Sequence, residues 1–205
     1  VYVQVTRGAA PRAHAFPKAP VPPTVYLFAR QLAPIDSARW QAGYTAITQI
    51  DRRWAGADLK TTMLLPNVLA QQAAVEAGAD DVILLKEGMA IEGSHANLFL
   101  IRQGVLCTAP LDDRVLPGIT RSIVIELAAE LGLDVRQEDS NETALKGADE
   151  VFLCGTTTEI RPIVRIDDSP VADGRVGPIT TRLSEAFQAL TRSLTRQPAA
   201  GQTRL

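Results

Sequence analysis

The sequence predicts an α+β fold, on three observations: short alternating runs rich in Val, Ile and Leu recur along the chain, stretches of helical periodicity lie among them, and the two follow no strict strand–helix–strand rhythm. VYVQVTRG at the start reads as a strand, APRAHAFPKAPVPP as a rigid turn and TVYLFARQLA as a second strand. Five prolines between Pro11 and Pro23 exclude a helix there. After Pro34 the composition changes, and Tyr44 to Ile50 alternates as a strand does. Leu65 to Ala77 has Pro66 near its start, apolar residues at helical spacing and Gly78 just beyond its end, which together predict a helix. Strands are expected at 82–85, 89–92, 98–102 and 105–108, with turns at Glu87-Gly88 and Gln103-Gly104. Gly118 to Leu131 reads as an amphipathic helix stopped by Gly132, followed by a strand at 134–137 and a short helix at 141–147. Strands at 150–153 and 160–166 and a helix from Pro178 to Leu194 complete the pattern, and the tail from Arg196 is polar and expected to fray. No internal repeat is present.

Composition narrows the class of function. Among 205 residues, 21 Lys and Arg stand against 23 Asp and Glu, a net charge of −2, which argues against a polybasic nucleic-acid or membrane binder. Hydrophobic residues at 46% and charged residues at 21% are those of an ordinary globular chain. Cys107 and Cys154 lie far apart without a CxxC or metal-type spacing, so neither a disulfide framework nor a zinc site is expected, and a reducing, cytoplasmic setting is. No apolar run reaches membrane-spanning length. The chain opens without Met on a strand already under way, so we expect it to be the later part of a longer polypeptide. Lysines number only four, Lys18, Lys60, Lys86 and Lys146, so one in an unusual place carries information.

Lys60 is in such a place, the only formal charge between Asp58 and Glu76. It reads either as a lysine whose stem lies on apolar surface with its ammonium in water, or as a partly buried amine. Desolvation of the latter lowers its pKa and makes it a nucleophile fit for a Schiff base. In IEGSHANLF, Glu92 is either a charge guarding a sheet edge or a carboxylate aimed into a cleft, with Ser94 and Asn97 holding its surroundings. His95 is neighbourhood only. The two histidines give no Ser/His/Asp arrangement.

Two loops suit an anion. Leu116-Pro117-Gly118-Ile119-Thr120-Arg121 presents the free amides of a helix N-terminus just after a glycine, and Cys154-Gly155-Thr156-Thr157-Thr158 ends a strand in amides and hydroxyls. Each is also an ordinary cap or strand-end turn. Neither is a Walker loop or a GxGxxG fingerprint. Finally, Arg12 and His14 are two apart, so an extended segment turns both to one face, where a guanidinium fork beside an imidazole suits a carboxylate. A surface pair without a role fits that spacing equally.

Taken jointly and in order, TRGAAPRAHAFP, DLKTTMLLPNVLA, IEGSHANLFLI, LPGITR and GTTTE resemble the class IV, or fold-type IV, pyridoxal-phosphate (PLP) aminotransferases, and among them the D-amino-acid-specific ones. The resemblance implies a fold-type IV large domain over 36–195, preceded in 1–35 by the C-terminal part of a smaller α+β domain. It implies Lys60 as the Schiff-base and proton-carrying lysine, Glu92 facing the pyridine nitrogen, and Leu116 against the ring. Ile119, Thr120 and Thr156 would bind the phosphate, and Arg12 and His14 would trap the substrate carboxylate from the neighbouring subunit of a homodimer. The implied reaction is transamination between a D-amino acid such as D-alanine and a 2-oxo acid such as 2-oxoglutarate. Family alternatives are branched-chain L-amino-acid aminotransferase, R-selective amine transaminase and aminodeoxychorismate lyase. In the family, an arginine on the phosphate and a tyrosine in the carboxylate trap precede the strand on which this chain opens, and a chain lacking them is alternatively a non-catalytic remnant. The Gly155-Thr156-Thr157-Thr158 loop departs from a Ser-rich form associated with the D-specific members.

Overall fold

The computed structural model describes residues 1–196, which form two compact units divided between Ile35 and Asp36. The expected fraying tail begins at Arg196, which closes the last helix; residues 197–205 lie outside the described residues. The first unit is an antiparallel hairpin of β1 (Tyr2–Thr6) and β2 (Thr24–Phe28), in register from Tyr2 opposite Phe28 to Thr6 opposite Thr24. Tyr2 stacks on Phe28 with ring centroids 5.1 Å apart, and Tyr26 lies 5.8 Å from Phe28, so one face of the ribbon is aromatic. Residues 7–23 connect the strands without regular structure. Gly8 (φ +113°) is required there, because a Cβ would stand 2.0 Å from the Pro22 carbonyl oxygen.

The second unit begins with α1 (Ser37–Ala42), a helix the sequence reading did not foresee, although Asp36 caps it by accepting from the Ala38 and Arg39 amides. Then come β3 (Tyr44–Ile50), α2 (Leu65–Glu76) and β4 (Asp81–Lys86). β3 and β4 are parallel neighbours, so α2 is their crossover. β5 (Met89–Gly93), β6 (Asn97–Arg102) and β7 (Val105–Thr108) follow as a meander. The Glu87-Gly88 and Gln103-Gly104 turns have positive φ at both residues, as tight hairpins require. After α3 (Ile119–Glu130) come β8 (Val135–Gln137), β9 (Ser140–Asn141) and α4 (Glu142–Lys146). The antiparallel pair β10 (Glu150–Gly155) and β11 (Glu159–Ile166), the two-residue β12 (Ser169–Pro170) and α5 (Pro178–Arg196) follow.

Ten strands form one sheet in the order β8-β7-β6-β10-β11-β3-β4-β5-β9, with β12 on β11. β5 also pairs with β6, so six of the strands close into a ring, β5-β6-β10-β11-β3-β4. The link that closes it is the pair Glu92 opposite Asn97. Alternation divides the core. Leu98, Leu100, Val151, Leu153, Ile83 and Ile163 belong to one cluster. Phe99, Ile101, Phe152 and Cys154 belong to another, with Val124 and Leu127 of α3 and Leu183 and Phe187 of α5. Phe99 and Phe152 stack at 5.0 Å, fixing β6 against β10 beside the seam.

Candidate active site

The seam of the ring holds a buried cluster of charged and polar side chains. Glu92 is not the edge charge that one sequence reading allowed: its strand is covered on both sides by β4 and β6. Its carboxylate is held by three donors from three segments. Asn97 Nδ2 donates to Oε2 at 3.1 Å, the Leu116 amide donates to Oε2 at 3.3 Å, and Arg53 Nη1 donates to Oε1. Arg53 also donates from Nε to Asp51 Oδ1 at 3.0 Å, and from Nη2 to Asp51 Oδ2 at 2.8 Å and the Arg114 carbonyl at 3.1 Å. The three charged side chains, Asp51, Arg53 and Glu92, are 3%, 7% and 5% exposed. Burial pushes the Glu92 carboxyl up to about 7, against the opposing pull of Arg53 and the Leu116 amide. Asp51 lies below the usual carboxylate range, because its bonds to Arg53 outweigh its burial.

Asn97 ties this cluster to the anion loop, since its Nδ2 also donates to the Leu116 carbonyl at 2.9 Å. Gly118 follows, where a Cβ would stand 2.1 Å from Asn97 Oδ1; the glycine is required by close approach, its φ being an ordinary −68°. Gly118 is the N-cap of α3 and has no side chain to offer the helix, so no side-chain cap occupies the first-turn amides. In that turn Ile119 is exposed and Thr120 buried. Arg121 is buried too, with Nη2 on the Ala109 carbonyl and Gln137 and a buried Nε that has no partner among the described residues. On the other side of Asn97 its pairing partner is Cys154, two residues before Thr156, which is exposed in the β10–β11 turn. Glu92, Leu116, Gly118 and the strand leading to Thr156 therefore converge around one asparagine.

Lys60 lies in the irregular connection 51–64 and is exposed, which corrects the reading of a partly buried amine. Leu59, Met63, Leu64 and Leu65 around it are themselves exposed, so the described residues of this unit lay no apolar cover over the amine. Its connection is pinned to the seam, however. Arg53 holds its start, the Ala57 amide donates to the Asp113 carbonyl at 2.9 Å, and Asn67, just inside α2, donates to the Ser94 carbonyl at 2.6 Å. Ser94, expected beside Glu92, instead bonds Gln71 at 2.8 Å and lies 2.8 Å from His95 Nδ1, so it serves the α2 junction. Arg12 and His14 are exposed in the hairpin connection of the first unit, where the backbone bends at His14 and so departs from the extended segment expected. Sequence reasoning missed Arg53 and Asp51. Their signal was an Asp-x-Arg pair at the end of a strand, but the partner they share is Glu92, 39 residues beyond Arg53.

Comparison with known proteins decides the family. The family model for amino-transferase class IV matches residues 1–166. The chain belongs to the class IV aminotransferases. D-alanine aminotransferase of Staphylococcus epidermidis is 38% identical over 194 residues, covering 94% of this chain and 68% of that protein. The D-alanine aminotransferase of Bacillus licheniformis is 38% identical over 189 residues, covering 92% and 66%. Among solved structures, the branched-chain amino acid aminotransferase of Escherichia coli superimposes with a TM-score of 0.71 at 34% identity, over 82% of this chain and 56% of that one. The branched-chain enzyme of Thermobaculum terrenum in its PLP form gives 0.68 at 32%, over 75% and 52%. The chain thus spans about two thirds of the length of the first group and a little over half of the second.

The expected fold-type IV architecture is therefore the one found, and class IV aminotransferases are PLP enzymes. The residues of this chain fit such a group on its own chemistry. A buried carboxylate suits a protonated ring nitrogen, and uncapped helix amides beside a buried guanidinium with an unsatisfied N–H suit a phosphate dianion. Leu116 joins the two through its own backbone.

Proposed function

We propose that this chain contributes the PLP-binding domain, residues 36–195, and the last part of a smaller domain, residues 1–35, of an aminotransferase. That enzyme exchanges the amino group of a D-amino acid such as D-alanine with a 2-oxo acid such as 2-oxoglutarate. The observation that carries the chemistry is the buried Glu92 carboxylate, bonded to the amide of Leu116, three residues ahead of the open N-terminus of α3. When bound, PLP supplies an electron-withdrawing ring that takes up the charge left as the substrate Cα–H bond breaks.

Each protein group then has a task. Lys60 provides the amine that holds the cofactor and afterwards carries a proton away from, and back to, the substrate. Glu92 keeps a proton on the ring nitrogen. The Ile119 and Thr120 amides, with the hydroxyls of Thr120 and Thr156, bind the phosphate, and the half-buried Leu116 packs against the ring. Arg12 and His14 hold the substrate carboxylate by a guanidinium fork and an imidazole, from the neighbouring subunit of a homodimer. The exposed apolar run of Leu59, Met63, Leu64, Leu65 and Val68 beside Lys60 supports such an assembly. Two free buried cysteines suit a cytoplasmic enzyme.

Support for the D-amino-acid substrate comes from the Arg12–His14 pair and from relatives named D-alanine aminotransferase at 36–38% identity. A branched-chain L-amino-acid substrate is the second reading, favoured by solved structures of branched-chain enzymes at 32–36% identity. Incubation with D-alanine and 2-oxoglutarate decides between them. Pyruvate formation is expected, whereas turnover of L-leucine with D-alanine inert would replace the first reading by the second.

A further inference from the structure

We propose that Arg53 is the positioning residue of this site: clamped by Asp51, it holds Oε1 of Glu92 as an anion and leaves that oxygen one lone pair for the ring N–H. The inference rests on the functional reading above and deepens it. Its basis is a count of donors and acceptors. Oε2 already accepts from Asn97 and from the Leu116 amide, which uses both of its lone pairs. Oε1 accepts only from Arg53 among the described residues, so it is the oxygen with capacity to spare.

Arg53 is itself immobilised. Nε and Nη2 grip the two oxygens of Asp51, Nη2 also reaches the Arg114 carbonyl, and Nη1 is left to point at Glu92. A fork held at one end and presenting a donor at the other fixes the rotation of the carboxylate, which a flexible point charge does not. The charge count points the same way. Two buried carboxylates flank one guanidinium, so with Glu92 ionised the triad carries one uncompensated negative charge, and a protonated ring nitrogen both neutralises it and favours that ionised form. The groups facing Glu92 are Arg53 and Asp51 from the connection after β3, Asn97 from β6 and the Leu116 amide, with the charge of Arg121 from α3 also felt; Lys86 acts on Asp51. Arg121 spends Nη2 on Ala109 and Gln137, so Arg53 alone among the cations of the described residues bonds the carboxylate.

The test follows the Glu92 carboxyl by carbon NMR in the full chain without PLP, labelled at the glutamate side-chain carboxyl, with the resonance lost in E92Q taken as Glu92. Removing an adjacent opposite charge raises a carboxyl midpoint by about 1–3 pH units, so R53M shifts Glu92 upward by that amount and R53K, which restores the charge, brings most of it back. Should R53M fail to fold, R53Q keeps a donor without the charge, and its midpoint must still exceed that of R53K. A Glu92 midpoint unchanged in R53M or R53Q overturns the proposal. In the PLP-loaded protein, R53M is expected to lower kcat for D-alanine about 10-fold or more with KM little changed, and to shift the pH profile of kcat in step with the Glu92 midpoint. A shifted midpoint in a chain that never transaminates would overturn the functional reading while leaving the grip of Arg53 on Glu92 standing. Activity with an unshifted midpoint would do the reverse.

Discussion

Two regions of the same unit contrast sharply: the seam at Glu92 and Asn97, and the connection that carries Lys60. At the seam, one carboxylate is buried and takes donors from a connection, a strand and a pre-helix loop, each locked by further bonds. In the connection, Lys60 and its apolar neighbours are exposed, and among the described residues the backbone is tethered to the rest of the unit at its ends and at Ala57. In the proposed enzyme the seam would be the half of the site that receives the ring nitrogen and the phosphate. The half that presents the amine is anchored but uncovered. In the proposed enzyme, cofactor and neighbouring subunit complete that second half.

Paired variants separate the two regions most clearly. K60A is expected to abolish transamination, a loss of about 1,000-fold or more since no other residue type forms the imine, while leaving urea stability within about 0.5 kcal/mol, as for other exposed positions. E92Q should retain PLP yet lose most transamination, because the ring nitrogen is no longer held protonated. Equal stability losses in K60A and E92Q, or wild-type rates in E92Q, would end the contrast.

A second effect lies in the pH dependence of stability. The Glu92 carboxyl sits at about 7 in the folded chain against 4.5 for an ordinary glutamate, so between these values the folded state binds more protons than the unfolded one. Stability contributed by this group therefore falls as pH rises from about 4.5 to about 7 and levels off above, by about 3 kcal/mol in all at 1.36 kcal/mol per unit. Urea titrations of wild type and E92Q across that window measure it; E92Q should lack the decline. A smaller effect is expected of N97A, which deprives both Glu92 Oε2 and the Leu116 carbonyl of a donor and should cost about 2 kcal/mol. Smallest is D51N. It removes a negative charge that is the weakest of the influences raising Glu92 but keeps an oxygen for Arg53 Nε, so the Glu92 midpoint should fall in the same carbon NMR titration, by less than R53M raises it.

How much of this was legible in the sequence follows the range of the interactions. Glu87-Gly88 and Gln103-Gly104 mark their turns because left-handed backbone has a local signature. The helices opening near Leu65, Gly118 and Pro178 carry theirs in periodicity and flanking glycine or proline. The helix from Ser37 escaped despite Asp36 and Gly43 at its ends, since six residues leave too little period to read. Ser140-Asn141 and Ser169-Pro170 are strands only through partners at Met89-Ala90 and Arg165-Ile166. At the site, Glu92 and the glycine before α3 stood out by type and setting. Arg53 did not, because an arginine announces nothing until its carboxylate is known, and that carboxylate is brought to it only when the ring of strands closes.

Lys60 and the Glu92 seam must serve one PLP molecule if the proposed enzyme is to transaminate. Borohydride reduction of the protein loaded with PLP, followed by mass mapping of the labelled peptide, puts that requirement to the test. A phosphopyridoxyl group on Lys60, with a visible absorption band lost on reduction, is the predicted result. A colourless protein, or a label on Lys18, Lys86 or Lys146 with Lys60 untouched, would contradict it.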